Sequence, residues 1–448
     1  MRLKLLTLAL SLAAVSLPSH GEDLMDAYRQ ARANDPVLAQ ADAQRLGVHE
    51  DVTQARSALL PQLSASASLE QTSSGGSFNA GLEGDGSGHS RTRDISAQLT
   101  QSVFNLNQIA SLRAAHSNAS AQDETYEAAD QDLIVRVATA YFGVLTAEDQ
   151  LTYAKANEDA DKQQYDEASQ RFKVGLSAIT DVYQAKSAYE AAKAQTVTAQ
   201  NTLNDAREAL TQITGKPVGH LKKLRDDLPL DPPTPSDPNA WVSKALQDNP
   251  NVLSQQYTVD AAEHSITAAR ANHLPTLSAS LSRGKSTTWL EHGTYTPEAN
   301  SATGNGRYGT TIGLTLTVPL YSGGYTQSQV RQSIDQRDSA QDSLESERRQ
   351  VKRDTLNYYR SVLAGISLVQ SGRAAVESGE KALDAARAGF QVGTQTMTDV
   401  LLAIQNLTSA ESTYSQNRHQ FILDKLLLKQ AAGDASIKDV ETINALLQ

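Results

Sequence analysis

Cysteine is absent from the 448 residues of this chain, which excludes disulfides, thiolate metal sites and a lipidated N-terminal cysteine. Aromatic residues make up only 5% of the chain, which favours thin, extended packing over a compact globule. Beyond the N-terminus, no stretch approaches the roughly 20 apolar residues of a transmembrane helix, so membrane insertion must use strands. The net charge of −11, without a block of lysine or arginine, argues against nucleic acid binding, which needs clustered basic residues.

The N-terminus has the pattern of an export signal. Arg2 and Lys4 precede an apolar run at 5–17. The small residues Ser19 and Gly21 follow, at the positions that a signal peptidase recognises. We predict a signal peptide at 1–21 that is cleaved after Gly21. The mature chain is therefore expected outside the cytoplasm.

An internal repeat organises the rest of the chain. The segments around Pro36 and Pro61 recur around Pro250 and Pro275, in both cases at an offset of 214 residues. Pro61 and Pro275 lie in closely similar motifs, LLPQLSAS in the first copy and HLPTLSAS in the second. Two copies of one structural unit are therefore expected.

A second pair of matched motifs, RFKVGLSAITDV and GFQVGTQTMTDV, recurs at an offset of 218. The change in offset indicates that the segments between the motifs differ in loop length. A proline-rich stretch joins the two copies and is typical of an extended connector. We predict a first repeat at 22–228, a connector at 229–239, a second repeat at 240–433 and a C-terminal tail at 434–448.

Each repeat contains two stretches in which apolar and polar residues alternate, as in a β-strand. This alternation is equally typical of an ordinary antiparallel sheet with one buried face. The length of each stretch is close to the roughly 9 to 11 residues of a tilted strand that crosses a bilayer. Together with the export signal, that length favours membrane strands at about 62–72, 92–104, 276–286 and 308–320.

Four strands are too few for a barrel made by one chain. In lipid, every backbone hydrogen-bonding group must be paired, so an open sheet with two free edges is excluded. Closed barrels begin at about eight strands. Several copies of the chain must therefore share one barrel, and a homo-oligomer is expected.

Most of the remaining sequence predicts long helices. Proline is absent from 109–172, and small or apolar residues recur there at alternating steps of three and four, which is heptad spacing. The second copy at 327–390 keeps the same stripe. At 1.5 Å per residue, such a helix is roughly 90 to 100 Å long. Shorter helices are predicted before the strands, at about 24–57 and 240–273.

Each long helix is predicted to end in a turn and to be followed by a returning helix. Gly175 and Gly393 mark these turns, near 173–181 and 391–399. Ser177 and Thr394 are the candidate caps of the returning helices, which are predicted at about 178–213 and 396–432.

The tip motifs VGLSAITDV and VGTQTMTDV, together with the duplicated strand pairs, resemble the TolC family of outer-membrane efflux proteins over essentially the whole mature chain. The resemblance implies a mainly α fold with a membrane β-barrel, in which three chains share twelve strands and twelve helices continue as a periplasmic tunnel. It implies an exit duct in the outer membrane for efflux or type I secretion. The implied partners are outer-membrane lipid, a periplasmic adaptor and an inner-membrane pump.

By the same resemblance, Asp181 and Asp399 face the tunnel at its periplasmic constriction and select cations. The alternative is that each carboxylate only stabilises the first turn of its helix through the helix dipole. Phe390, Gln395 and Leu402 depart from the family, which often has polar or charged residues there. The network of polar residues that can hold the tip closed in this family therefore cannot be transferred intact to this chain.

The residues of the two turns are the candidate surface for adaptor docking. Their alternative role is only to form the turn, although an exposed Leu176 has no packing reason there. The candidate docking residues are Val174, Gly175, Leu176, Val392, Gly393 and Thr394.

The sequence predicts no enzyme and no catalytic, cofactor-binding or metal-binding residue. No HExxH or GxSxG motif occurs. Gly304, Gly306 and Gly309 spell GxGxxG, but this motif precedes a strand, whereas dinucleotide binding needs a following helix. The competing function is a structural or adhesive helical protein that spans the periplasm without a pore. The polar face of the predicted strands argues against it, because a small packed sheet would have apolar residues there.

Overall fold

The computed structural model describes residues 22–74, 88–290 and 306–448. The predicted signal peptide and Gly304 lie outside the described residues. The strands are β1 Gln62–Ser74, β2 Gly88–Phe104, β3 Thr276–Leu290 and β4 Gly309–Thr317. The helices are α1 Leu24–Asn34, α2 Pro36–Ser57, α3 Leu106–Lys173, α4 Ile179–Thr214, α5 Pro238–Asp248, α6 Pro250–Ala271, α7 Tyr325–Gln391, α8 Met397–Ala431 and α9 Ile437–Asn444.

The four strands form one antiparallel sheet in the order of the chain. Leu63 pairs with Leu99, Leu99 with Leu281, and Leu281 with Ile312. Directly opposed residues of antiparallel strands share a face, so these apolar side chains lie in one row. The alternation along each strand thus produces one apolar face and one face made mainly of serine and threonine.

Strand ends differ in places from the predicted limits. β2 begins at Gly88, four residues earlier than predicted, and β3 continues to Leu290, four residues further. β4 ends at Thr317, three residues before the predicted end. Pro319 explains the early end, because proline has no amide hydrogen to donate to a neighbouring strand.

The helices predicted at 24–57 and 240–273 are each broken in two, which corrects the prediction. Asp35 and Asn249 lie at the breaks with extended backbone, since the proline after each disfavours helical geometry at its predecessor. Both side chains cap the next helix. For example, Oδ2 of Asp35 accepts a hydrogen bond from the backbone N–H of Leu38 at 2.9 Å.

The segment predicted as a C-terminal tail contains α9. This helix begins after Ser436, whose hydroxyl donates to Oδ2 of Asp439 at 3.1 Å. Val440 and Ile443 are buried in the same core as Leu24 of α1. The tail is therefore part of the folded chain.

Contacts between residues divide the chain into two units. The first consists of the described residues up to Asp42, Thr125–Val252 and Arg348–Gln448. The second consists of Ala43–Glu124 and Leu253–Glu347 and contains the whole sheet. Within the described part of the chain, none of the helices combines the length and the apolar character that spanning a membrane requires.

The first unit contains a hydrophobic core to which α1, α3, α4, α8 and α9 contribute. The core is bordered by an ion pair in which Arg136 donates to both carboxylate oxygens of Asp35, from Nη1 to Oδ1 at 3.2 Å and from Nη2 to Oδ2 at 2.8 Å. Burial acts to raise the pKa of Asp35, but the hydrogen bonds from Arg136 and Leu38 outweigh it and lower that pKa. The buried residues of the predicted heptad stripe on α3 are Leu133, Val137, Val144, Ala147, Leu151 and Ala154.

Candidate functional site

The two tip turns lie in the first unit and have the same backbone geometry. Gly175 and Gly393 follow α3 and α7 with positive φ angles of 77° and 80°, a region that side chains disfavour. In the first turn, the N–H of Leu176 donates to the carbonyl of Arg171 at 2.8 Å. The N–H of Gly175 donates to the carbonyl of Phe172 at 3.0 Å. These bonds satisfy the last carbonyls of the helix, so glycine has a structural role at both tips.

The tips also expose apolar side chains. Val174 and Leu176 lie between α3 and α4, and Leu176 is 73% exposed. Val392 is 75% exposed in the equivalent turn between α7 and α8. The hydroxyl of Thr394 donates to the carbonyl of Gly389 at 3.2 Å, which stabilises the turn itself. Isolated exposed apolar residues are common, but here the same turn presents them in both copies.

The caps of the returning helices are Ala178 and Thr396, one and two residues later than the predicted caps Ser177 and Thr394, which are therefore wrong. Thr396 caps α8, and its hydroxyl accepts from the N–H of Asp399 at 3.3 Å. The same hydroxyl donates to Oδ2 of Asp399 at 2.7 Å, and the N–H of Thr396 donates to that oxygen at 2.8 Å. The spacing of Thr396 and Asp399 is that of a capping box, a signal that the sequence already carried.

The first tip uses a different arrangement because Ala178 stands at the cap position and has no hydroxyl. Ser177, one residue earlier, donates from its hydroxyl to Oδ2 of Asp181 at 2.7 Å. The N–H of Ala178 donates to the same oxygen at 3.4 Å. Ser177 therefore orients the carboxylate of Asp181 instead of capping the helix.

Both candidate constriction residues thus accept hydrogen bonds at a helix start. Hydrogen bonds from Thr396 lower the pKa of Asp399, which keeps its carboxylate ionised. This geometry fits the helix-start role, and it holds one carboxylate in place at each tip. The two roles are compatible, since a carboxylate that accepts these hydrogen bonds can also face a tunnel.

An aromatic contact joins the first long helix to the second at the tip. The guanidinium carbon of Arg171 lies 4.8 Å from the ring centroid of Phe390. Arg171 also donates from Nη1 to Oε1 of Glu167 at 3.2 Å. Phe390 is therefore the ring of a cation–π pair. Sequence reasoning missed Arg171 because its partner lies on another helix.

A polar cleft lies between α3, α4 and α8 in the same unit. Its volume is about 600 Å³, and its lining includes Asp161, Gln195, Leu402 and Thr408. Asp161 is only 6% exposed, and Asn157 donates to its Oδ2 at 3.3 Å. Burial raises the pKa of Asp161 to about 6.

Asp161 was missed by sequence reasoning, although a signal existed. Heptad steps along α3 lead from Ala154 to Asp161 and then to Ala168, and all three residues are buried. A carboxylate on such a stripe is unusual, since heptad positions facing a neighbouring helix are usually apolar. Extending the stripe past Ala154 would have identified the residue.

Among the described residues, no group of three or more metal-ligating side chains could hold a metal ion. The family model for "Outer membrane efflux protein" matches 27–216 and 241–434. The chain belongs to the outer membrane efflux protein family. This is a family of transport proteins and not of enzymes.

Relatives of this efflux protein are similar over most of their length. Outer membrane protein TolC of Escherichia coli (strain K12) is 35% identical over 442 residues, which cover 98% of this chain and 88% of that protein. Alkaline protease secretion protein AprF of Pseudomonas aeruginosa is 28% identical over 432 residues, covering 94% of this chain and 86% of AprF. The predicted TolC-like family is confirmed.

A solved structure shows the same fold. The CmeC outer membrane channel of Campylobacter jejuni aligns with a TM-score of 0.78 and 18% identity, covering 95% of this chain and 90% of that one. The prediction of a mainly α, TolC-like chain with four strands is confirmed. This efflux protein is an outer-membrane exit duct for efflux or type I secretion, and it extends into the periplasm. It acts within tripartite export systems.

Proposed function

We propose that three copies of this chain close one twelve-stranded barrel in the outer membrane and continue as a periplasmic tunnel of twelve helices. The observation that carries the proposal is the sheet itself. β1 and β4 are its two edge strands, and one face exposes apolar side chains. Leu63 is 76% exposed and Ile312 is 81% exposed on that face.

Lipid and neighbouring copies together account for these exposed groups. Apolar side chains on a sheet surface are stabilised by contact with hydrocarbon, and unpaired edge groups are excluded from hydrocarbon unless another strand pairs with them. The opposite face carries hydroxyl groups, such as those of Ser66 and Ser96 with Oγ atoms 2.9 Å apart. Such a face suits a water-filled lumen.

At the tips, Asp181 and Asp399 form the periplasmic constriction in this proposal. Three copies of each carboxylate would converge near the axis, where repulsion between them and attraction for cations increase as the aperture narrows. The hydrogen bonds from Ser177 and Thr396 support this by holding each carboxylate in place, and those from Thr396 also lower the pKa of Asp399. Leu402 supplies no additional carboxylate one turn beyond Asp399.

The exposed turns dock a periplasmic adaptor, which links the duct to an inner-membrane pump. Val174, Leu176 and Val392 supply apolar contacts, and Gly175 and Gly393 permit close backbone approach. Thr394 completes the second turn. We assign the chain no catalytic role.

Heat-dependent migration in gel electrophoresis, combined with single-channel recording, tests the proposal. The purified protein should migrate as a trimer until heated and should form ion-conducting pores in planar bilayers. A cysteine pair on β1 and β4 should cross-link only between chains. A stable monomer with full strand content and no conductance would overturn the barrel and favour a pore-free periplasmic tether.

A further inference from the structure

The charged residues of the sheet are separated by sign between its two faces. The register places Arg93, Arg283 and Lys285 on the apolar face, because Ile95 pairs with Lys285 and Ala97 with Arg283. Arg91 lies two residues before Arg93 and shares its face. No acidic residue occupies this face in the described strands.

The opposite face shows the reverse pattern. Glu70 and Asp94 lie among its serine and threonine residues, and the described strands place no lysine or arginine there. Asp94 is adjacent in sequence to Arg93, so the separation holds at the same height along the strands. Alternation of polar and apolar residues alone would not place positive and negative charges on different faces of the sheet.

The basic residues also lie at one end of the sheet. Arg91 and Arg93 occupy the first part of β2, and Arg283 and Lys285 lie toward the end of β3. This is the end at which β1 continues toward β2, and β3 toward β4. The opposite ends of the strands lead to the helices, which extend into the periplasm. The basic cluster therefore lies on the side of the outer leaflet.

The height of the cluster matches the level of lipid headgroups. Lys285 is eight residues above Leu277, and Arg93 is level with Thr287, ten residues above it. At about 3.3 Å per residue and a tilt of about 40°, these steps place Lys285 and Arg93 roughly 20 to 25 Å above the row of Leu277, and Arg283, six residues above it, at roughly 15 Å. The apolar band of an outer-membrane barrel is about 25 Å tall, so Lys285 and Arg93 reach its upper boundary. Arg283 lies lower, and its long side chain can extend toward that boundary.

The two basic side chains of β3, Arg283 and Lys285, both lie near one aromatic ring. The guanidinium carbon of Arg283 and Nζ of Lys285 each lie 5.9 Å from the ring centroid of Tyr308. Tyrosine at the boundary of the apolar band is typical of a membrane interface. Among the described residues, neither Arg283 nor Lys285 forms an ion pair with a carboxylate. Like charges in such proximity favour an anionic ligand that neutralises them.

We propose that this outward basic cluster binds the phosphate groups of lipopolysaccharide, the phosphorylated glycolipid of the outer leaflet. The inference rests on the proposed barrel, which directs the apolar face toward lipid. The ligand joins acyl chains to phosphates, which matches apolar rows at Leu281 and Ile312 below and cations at Arg283 and Lys285 above. Charge-assisted hydrogen bonds from guanidinium and ammonium groups to phosphate are strong and specific.

The test compares Arg283→Gln/Lys285→Gln with the control Lys352→Gln/Arg353→Gln, which removes the same charge from exposed positions on α7. Native mass spectrometry of each purified trimer measures affinity for bisphosphorylated lipid A, for the same lipid without phosphates, and for phosphatidylglycerol. We expect binding of bisphosphorylated lipid A to weaken about 25-fold in the first variant, at roughly fivefold for each cation, and to be unchanged in the control.

The swapped variant Arg283→Lys/Lys285→Arg keeps both charges and should keep wild-type affinity. Equal affinity of the Gln variant and the control would overturn the proposal. It would also be overturned if the wild type bound dephosphorylated lipid A or phosphatidylglycerol as tightly, or if inorganic phosphate alone displaced the glycolipid. Conductance of the same samples separates this inference from the proposed function, since a non-conducting wild type would refute the pore independently of lipid binding.

Discussion

Asp161→Asn should stabilise the helices around the polar cleft at neutral pH and have little effect near pH 4. Burial raises the pKa of Asp161 from its ordinary value of 3.8 to about 6. Between these values the folded chain keeps a proton that the locally unfolded chain releases. Stability contributed by this site therefore falls as the pH rises through that window, and the full penalty is present above pH 6.

The size of the effect follows from the structure. The difference between the two pKa values corresponds to about 3 kcal/mol. The cleft is open to water, and Asn157 already donates a hydrogen bond to the carboxylate, so we expect a smaller penalty of about 1–2 kcal/mol. This corresponds to roughly a 5- to 30-fold change in the equilibrium for local opening. Asparagine has nearly the same size and cannot ionise, which isolates the charge.

Hydrogen–deuterium exchange measured by mass spectrometry over 154–168 is the suitable assay. The ratio of exchange rates between wild type and Asp161→Asn at one pH cancels the intrinsic pH dependence of exchange. We expect a ratio near 1 at pH 4 and roughly 5 to 30 at pH 7.5. Asp166→Asn, at an exposed position of the same helix, is the matched control and should give no pH-dependent ratio. Equal ratios for Asp161→Asn at both pH values would refute the reasoning.

Four further predictions concern the tips and the core. Asp399→Ala should weaken block of single-channel conductance by divalent and trivalent cations, because a charged ring is removed. Leu176→Asp should abolish efflux, measured by drug susceptibility, while the trimer remains at its normal amount in the outer membrane. Gly393→Ala should destabilise the second turn by about 1–2 kcal/mol, because its positive φ angle disfavours a side chain. Asp35→Asn should lower stability by about 2–3 kcal/mol at pH 7, since Arg136 loses a buried partner.

The controls for these predictions differ in kind. Thr398→Ala, next to Asp399 in an exposed position, should leave cation block unchanged. If Asp399→Ala showed the same cation block as the wild type, Asp399 would serve only to stabilise the start of its helix. Loss of trimer in Leu176→Asp would show that the residue serves the fold. For Asp35, hydrogen bonds hold the pKa below its ordinary value, so its contribution is present above about pH 4 and is lost as the pH falls further. An unchanged difference between wild type and Asp35→Asn at pH 3 would contradict this.

The sequence by itself determined the features that depend on local periodicity. Alternation at 62–72 specified which residues of β1 share a face, because successive side chains of a strand point to opposite sides. Heptad spacing specified the buried stripe of α3. The helix breaks at Asp35 and Asn249 could also have been predicted from the sequence, because a proline follows each one. The tip motifs indicated the family, and the similarity to known outer-membrane efflux proteins confirms it.

Tertiary structure decided the features that join distant residues. The pairing of β2 with β3 brings Arg93 of one repeat beside Lys285 of the other, and no local pattern contains that register. Arg171 meets Phe390 across two helices, and Asp161 gains its raised pKa from helices that are remote in sequence. Periodicity acts through neighbours along the chain, whereas burial and charge depend on which surfaces meet in the folded molecule.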